Sequence, residues 1–307
     1  MNDTGHAYQL RLQIGQIQKA MKMDTVRGSL LMVLAMAAFA LEDMFIKSAS
    51  QSLPVGQILI IFGLGGMVIF MAMARAQGQR MLHPAICTRP MVLRSVAEVT
   101  GRLCYTLAIA LTPLSSASAI LQATPLVVAA GAVVFFGEQV GWRRWVAIAV
   151  GFCGVLLVLR PGVSGFEPAS IFAVIGTLGF AGRDLATRAA PSSMSNHQLG
   201  IYGFAMLVVA GGVALGWTGG ASVPSLLVCG QLAAATVIGV IAYNALTGAM
   251  RAGEISVVAP FRYTRLVFAM VLGVVVFGER PDVLTLVGSA IIIGSGLFTV
   301  LRERRSR

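Results

Sequence analysis

Ten stretches of about twenty mainly apolar residues follow one another between Gly28 and Leu301, leaving little chain for anything else. A helix that crosses a bilayer needs roughly that length, because in oil every backbone N–H and C=O must be paired within the segment itself. The pattern places spans at 28–47, 55–74, 91–112, 114–136, 143–159, 167–187, 196–217, 226–249, 254–277 and 282–301. With 57% apolar and only 11% charged residues, the chain has too little charged surface to face water. The expected fold class is therefore an all-α polytopic membrane protein with ten transmembrane helices. Its 35 glycines fit that class, since small residues let helix backbones approach closely in lipid. Pro54, Pro90, Pro113, Pro161, Pro191 and Pro281 fall near span ends, whereas Pro125 and Pro260 lie inside spans four and nine.

The net charge of +11 is not a nucleic-acid footprint, because the basic residues sit in short loops and at both ends. With the N-terminus inside, sixteen Lys and Arg gather on the inner side against three on the outer side, Lys47, Arg160 and Arg280. The positive-inside rule then puts both termini in the cytoplasm of a bacterial inner membrane protein. Residues 1–27 read as a polar, basic cytoplasmic leader, disordered in the first reading, with a short interfacial helix on the face of Leu10, Leu12, Ile14 and Ile17 as the alternative, and Met21 or Met23 as an alternative start. The first apolar stretch lacks a following small-x-small site, so it is expected to stay as a span. Residues 302–307 form a basic cytoplasmic tail.

The chain also repeats itself. Val133-Val134-Phe135-Phe136-Gly137-Glu138 matches Val274-Val275-Val276-Phe277-Gly278-Glu279 at an offset of 141 residues, and Ser115 matches Ser256 at the same offset. The matches close spans four and nine, so each repeat holds five spans, over 28–160 and 166–301. Five is odd, so the second copy enters the membrane upside down, with Glu138 inside and Glu279 outside. Two inverted five-helix repeats are a recurring plan of secondary transporters, with the solute held near the midplane.

Ionisable residues inside spans are the strongest functional pointers, each costing about 2.5–3.5 kcal/mol at a helix centre. Span three carries Arg94, Glu98 and Arg102 at successive i, i+4 spacing, on one face, where Glu98 can pair with either arginine. Span nine carries Arg262 and Arg265 on one face beside Tyr263, just after Pro260. Two arginines with no acid within a turn of them in their own helix need partners elsewhere: a solute's carboxylate, phosphate or imide oxygens, or Glu42, Asp43 or Glu98 across helices. The adjacent Glu42 and Asp43 of span one point about 100° apart, so one is expected inside as a proton carrier and the other at the outer interface. Arg102, Tyr105, Gln122, Tyr243, Asn244, Arg262, Tyr263 and Arg265 are the candidate substrate-binding residues, with Gln231 a further polar group in span eight. Glu42, Asp43 and Glu98 are the proton-coupling or ion-pair candidates. Tyr105 and Tyr263 could stack on a flat ring. Arg183 and Asp184 read as a local interface pair.

Other classes fit poorly. There is no Walker loop for an ATP-driven pump and no HExxH pair among His6, His83 and His197. Gly162-Val163-Ser164-Gly165 offers a serine, but in an outer loop across the bilayer from His197. The cysteines, Cys87, Cys104, Cys153 and Cys229, have no metal or redox spacing. Neither an enzyme, a metal nor a cofactor is indicated. The expected partners are a small-molecule substrate and the lipid bilayer, with a homodimer left open.

The run Gln122-Ala123-Thr124-Pro125-Leu126 through Phe136-Gly137-Glu138 to Leu159-Arg160-Pro161-Gly162 resembles the first EamA-type repeat of the drug/metabolite transporter superfamily. Val258-Ala259-Pro260-Phe261-Arg262-Tyr263 through Phe277-Gly278-Glu279-Arg280 resembles the second. The resemblance covers nearly all of 28–301 and implies ten helices in two inverted halves around a central solute cavity lined by the first four helices of each half. Ala-Pro-Phe-Arg-Tyr-Thr-Arg in span nine is similar to the bacterial riboflavin transporter branch, with S-adenosylmethionine carriers next. Riboflavin uptake is the first expectation for substrate. Carriage of S-adenosylmethionine, a nucleoside or an amino acid, in either direction, and a non-transporting sensor or assembly protein are the alternatives.

Overall fold

The computed structural model describes residues 3–81, 83–137, 141–160, 167–188, 194–252 and 259–303. The expectations for Glu138, Ser256 and the Gly162-Val163-Ser164-Gly165 stretch lie outside the described residues. Among those described, every regular element is a helix. In chain order they are α1 (Asp3–Ala49), α2 (Val55–Ala76), α3 (Arg89–Leu111), α4 (Leu114–Leu121), α5 (Thr124–Phe136) and α6 (Trp142–Leu159). Then come α7 (Ser170–Arg188), α8 (Asn196–Thr218), α9 (Leu226–Ala252), α10 (Thr264–Phe277) and α11 (Val283–Glu303). Two short 3₁₀ turns, Pro84–Cys87 and Ala259–Tyr263, complete the set.

The leader is corrected: helix α1 already runs from Asp3. No proline occurs before Pro54, so nothing forces a break between the polar leader and the first apolar stretch. Among the described residues, five helical segments, Val26–Ala49, Val55–Ala76, Leu114–Phe135, Asn196–Thr218 and Leu226–Ala249, are long and apolar enough to cross a bilayer. Large apolar side chains such as Leu30, Val68, Leu93, Phe135 and Val275 point outward, unpaired with protein. In water that surface would be a liability; in lipid it is the solvent-facing side. The chain is a multi-pass membrane protein.

Spans four and nine are both broken. The fourth stops at Leu121 and restarts at Thr124, with Pro125 in the first turn of α5. Proline lacks the N–H that would bond the Leu121 carbonyl, and the Thr124 hydroxyl donates to that oxygen instead, at 2.6 Å. In the described part of the ninth, a 3₁₀ turn around Pro260 precedes α10, and there the Thr264 hydroxyl donates to Phe261 O at 2.7 Å. Both segments end alike, on Gly137 (φ 65°) and Gly278 (φ 63°), left-handed caps that only glycine adopts cheaply.

The principal packing pairs are α1 with α9, α2 with α8, α3 with α7 and α6 with α11, followed by α1 with α10, α7 with α4 and α5, α3 with α8, α2 with α9, and α4 with α10. Counting α4–α5 as one span and the 3₁₀ turn with α10 as another, exchanging each span for the one five later maps this set onto itself. Several seams are backbone against backbone. A Cβ added at Gly179 of α7 would lie 2.5 Å from Gly101 Cα of α3, and one at Gly154 of α6 would lie 2.8 Å from Gly288 O of α11. Most of the core is one continuous cluster through the bundle, with a smaller one of Met32, Ala35 and Met36 against Ala245 and Ala249 between α1 and α9.

Gly179→Leu should therefore force α3 and α7 apart, at a cost of about 1–3 kcal/mol or more. Thermal unfolding in detergent checks it, with Gly230→Ala, where added atoms meet nothing within 4 Å, expected to match the parent.

Candidate functional site

Charged side chains from α1, α3, α7, α10 and the 3₁₀ turn before α10 meet inside the bundle. On α1, Glu42 and Asp43 are 1% and 0% exposed. Glu42 Oε1 takes the Arg102 Nη1 donor of α3 at 2.9 Å, and that guanidinium lies over the Phe62 ring of α2. Asp43 Oδ2 takes Arg265 Nη2 of α10 at 2.6 Å and the Tyr105 hydroxyl of α3 at 3.2 Å. The Arg265 guanidinium is held between the rings of Phe39 and Tyr105, 5.1 and 5.6 Å from their centroids. The expectation that one of these two acids reaches the outer interface is corrected. Helix α1 sits in a crevice between α3, α9 and α10, so residues 100° apart both meet protein.

A second group lies around Glu98. It pairs with Arg94 of its own helix at 3.6 Å and with Arg183 of α7 at 3.4 Å. Arg183 also holds Asp184 at 2.8 Å, and Asp184 reaches Arg262 at 3.8 Å. Arg183 and Asp184 are thus more than a local interface pair: they link Glu98 to the broken span nine. Their signal was available in principle, as two charges inside an otherwise apolar span, but only packing of α7 on α3 shows which acid and which arginine they meet. Arg94 additionally donates through Nε to the Thr187 hydroxyl at 3.0 Å.

The candidates of span three divide. Arg102 leaves Glu98 for Glu42, because its guanidinium is drawn toward α1 and α2, while Arg94 keeps Glu98. Gln122, at the break between α4 and α5, donates from Nε2 to Arg262 O at 3.1 Å, so the two interrupted spans are bonded to each other at their breaks. Tyr263 is buried, its hydroxyl set against Gly296 of α11 and without a hydrogen-bond partner. Tyr105 is 1% exposed, its hydroxyl also 3.3 Å from Ser118 Oγ. In this state neither tyrosine offers an open ring face to a planar ligand. Tyr243 of α9 meets the Phe70 ring edge-on at 5.3 Å, and Asn244 donates to Val240 O of its own helix at 2.9 Å. The Gln231 carbonyl oxygen is buried without a partner.

Among the described residues, five arginines (Arg94, Arg102, Arg183, Arg262 and Arg265) face four carboxylates (Glu42, Asp43, Glu98 and Asp184), a formal excess of one positive charge. Its pairs are unequal. Arg265–Asp43 is tight and its carboxylate wholly buried, whereas Arg262–Asp184 is the longest of the pairs just described and its side chains are 31% and 26% exposed. Arg262 is also carried on a 3₁₀ turn before α10 and not in the α-helix itself. Of the arginines in the cluster, Arg262 is therefore the one whose release from its partner asks least of the protein.

Comparison with known proteins bears on the fold and the family. A solved crystal structure superimposes with a TM-score of 0.61 over 91% of this chain and 98% of its own, at 16% identity, a likeness of fold alone. The S-adenosylmethionine uptake transporter of Rickettsia bellii is 28% identical over 71% of this chain and 75% of its own. A pseudopaline exporter of Pseudomonas aeruginosa is 27% identical over 89% and 96%. The riboflavin transporter of Vibrio cholerae is 26% identical over 94% and 98%. Two copies of one sequence family, described as the EamA-like transporter family, match residues 26–160 and 168–301. A chain that carries that family's sequence twice over nearly its whole length, folded as helices around an internal charge cluster, belongs to the EamA-like transporter family of drug/metabolite transporters.

Proposed function

We propose that the protein is a secondary carrier that moves a small organic metabolite by alternating access between two inverted five-helix halves of ten spans. Both termini face the cytoplasm, and the membrane is the bacterial inner membrane. The exchange symmetry of the packing pairs supports the inverted halves, because two copies of an odd number of spans related by a two-fold axis place that axis in the membrane plane. The excess of basic residues in alternate loops supports the orientation.

One observation carries the binding reading: Arg262 has a loose partner, partial exposure and a backbone held by Gln122 from the other half. Arg102, Tyr105, Gln122, Tyr243, Asn244, Arg262, Tyr263 and Arg265 are the proposed contact set, engaged in turn as the halves rock. Glu42, Asp43 and Glu98 are the proposed proton-coupling or ion-pair groups, being the buried carboxylates that hold arginines of the cluster. Riboflavin uptake is the first substrate reading. Its imide suits a guanidinium, and a site with an excess positive charge disfavours the sulfonium of S-adenosylmethionine. The relatives named for riboflavin and for S-adenosylmethionine keep both on the test panel, with nucleosides and amino acids.

The purified protein should show saturable uptake of one of these solutes in liposomes and be stabilised against heat by that solute alone. Stabilisation without saturable flux would favour a sensor or assembly role on the same fold. Neither effect with any solute would remove all four substrate classes.

A further inference from the structure

We propose that Glu279 and Lys47 form the latch that keeps one end of the solute path shut, and that breaking it is the step that admits solute from that side. The inference rests on the alternating-access reading above and adds the group that controls it.

Gly278 turns the chain at the end of α10, the Glu279 N–H closes on Gly273 O at 3.0 Å, and the Glu279 side chain then reaches into the first half of the protein. Oε1 accepts the Leu114 N–H at 2.6 Å, and Oε2 accepts the Ser115 N–H at 3.0 Å and the Ser115 hydroxyl at 2.8 Å. These are N–H groups of the first turn of α4, which have no partner inside their own helix. Lys47 Nζ, 3.5 Å from Glu279 Oε1, donates to the Ile109 and Thr112 carbonyls at 3.0 and 2.5 Å. Those oxygens belong to the end of α3 and its cap, equally without helical partners. The turn at Pro113 is thus gripped by a carboxylate on its positive end and an ammonium on its negative end, each supplied by a different helix. One ion pair joins α1, α3, α4 and the end of α10, across both halves.

Two facts make this a latch and not a fixed cap. First, the site is shut on this side and more open away from it. Lys47 stands one helical turn beyond Asp43, where Glu42 and Asp43 are 1% and 0% exposed. Away from it Glu98 is itself buried, but Arg183, Asp184 and Arg262 are more accessible than any charged group around Asp43, with Arg183 at 24% and Arg262 at 31%. Second, Ser115 and Glu279 each have a counterpart at the 141-residue offset, Ser256 and Glu138, which lie outside the described residues. The sequence feature that defined the repeat is, in the half of it described, the pair that bonds one repeat to the other.

The test reads opening directly. In the full chain with Cys87, Cys104, Cys153 and Cys229 replaced by serine, Ser118→Cys puts a thiol on α4 below the latch, at a position 1% exposed. A membrane-impermeant methanethiosulfonate reagent is added from the Lys47 side, in oriented vesicles. Glu279→Ala and Lys47→Met should each speed labelling roughly tenfold or more, and Ser115→Ala by a smaller factor, as the population opens. Labelling unchanged in Lys47→Met and Ser115→Ala, with parent-like thermal midpoints, would overturn the latch even if Glu279→Ala failed to fold. Labelling needs no solute, so a failure to find a transported compound would sink the carrier reading while leaving this contrast measurable.

Discussion

Arg262→Ala is expected to abolish saturable uptake while leaving a protein that inserts, folds and runs as one species. Arg262 has the least to lose structurally: its 3.8 Å partner Asp184 keeps Arg183 at 2.8 Å, and both Arg262 and Asp184 are partly exposed. For the solute the loss is large. A hydrogen bond to a charged group contributes about 1.5–3 kcal/mol, and two made in parallel by a guanidinium fork would reduce transport roughly a hundredfold or more. Arg262→Lys should recover only part of the flux, because an ammonium is a point charge without the fork. Initial rates in proteoliposomes matched for protein content measure it. Normal flux from a well-folded Arg262→Ala protein would remove this residue from the site and return the cluster to a purely structural role.

Arg265 should behave in the opposite way. It is clamped between Phe39 and Tyr105 and bound to an Asp43 that has no exposure at all. Arg265→Ala strands that carboxylate in the interior, and breaking a buried pair from one side costs about 3–5 kcal/mol. The single substitution should lower the thermal midpoint sharply, and Asp43→Asn should do so less, since it leaves a hydrogen-bond acceptor for Tyr105. Combining Asp43→Asn with Arg265→Gln should recover most of the stability, as removing both charges also removes their desolvation cost. Unfolding curves in detergent for the four proteins decide the matter. If Arg265→Ala alone is as stable as the parent, the pair does not hold α1 to α10, and Asp43 must find compensation from a group not identified above. The contrast between two arginines three residues apart, one whose loss is read in stability and one whose loss is read in flux from a folded protein, is the sharpest consequence of the cluster's unequal pairing.

Much of the architecture was legible along the chain because oil imposes a simple rule. Apolar runs near Val55–Ala76, Asn196–Thr218 and Leu226–Ala249 read as helices without knowledge of their neighbours, since a backbone in lipid must bond to itself. Glycine after Phe136 and Phe277 announced where spans four and nine stop. The leader was misread because its polar composition says nothing about whether a helix, once nucleated by the apolar stretch, continues backward through it. The break in span four was visible as Pro125, but not its placement at Gln122, which depends on the Thr124 hydroxyl replacing the lost donor.

The candidate site was legible as an inventory and illegible as a set of partnerships. Charges inside apolar spans declare themselves, since lipid tolerates them only against protein or water, and that put Glu42, Asp43, Glu98, Arg102, Arg262 and Arg265 in view. Spacing along one helix could propose Arg94–Glu98, a contact between residues four apart. It could not propose Arg102–Glu42, Asp43–Arg265 or Glu279–Ser115, whose members are 60, 222 and 164 residues apart. The sequence alone therefore determined the solvent, the helices, the family and the kinds of group inside, because hydropathy and helical period are local properties. Which acid neutralises which arginine, and which arginine is left loosely held, was decided only when two sets of helices packed together, because electrostatic pairing depends on distance in space and not along the chain.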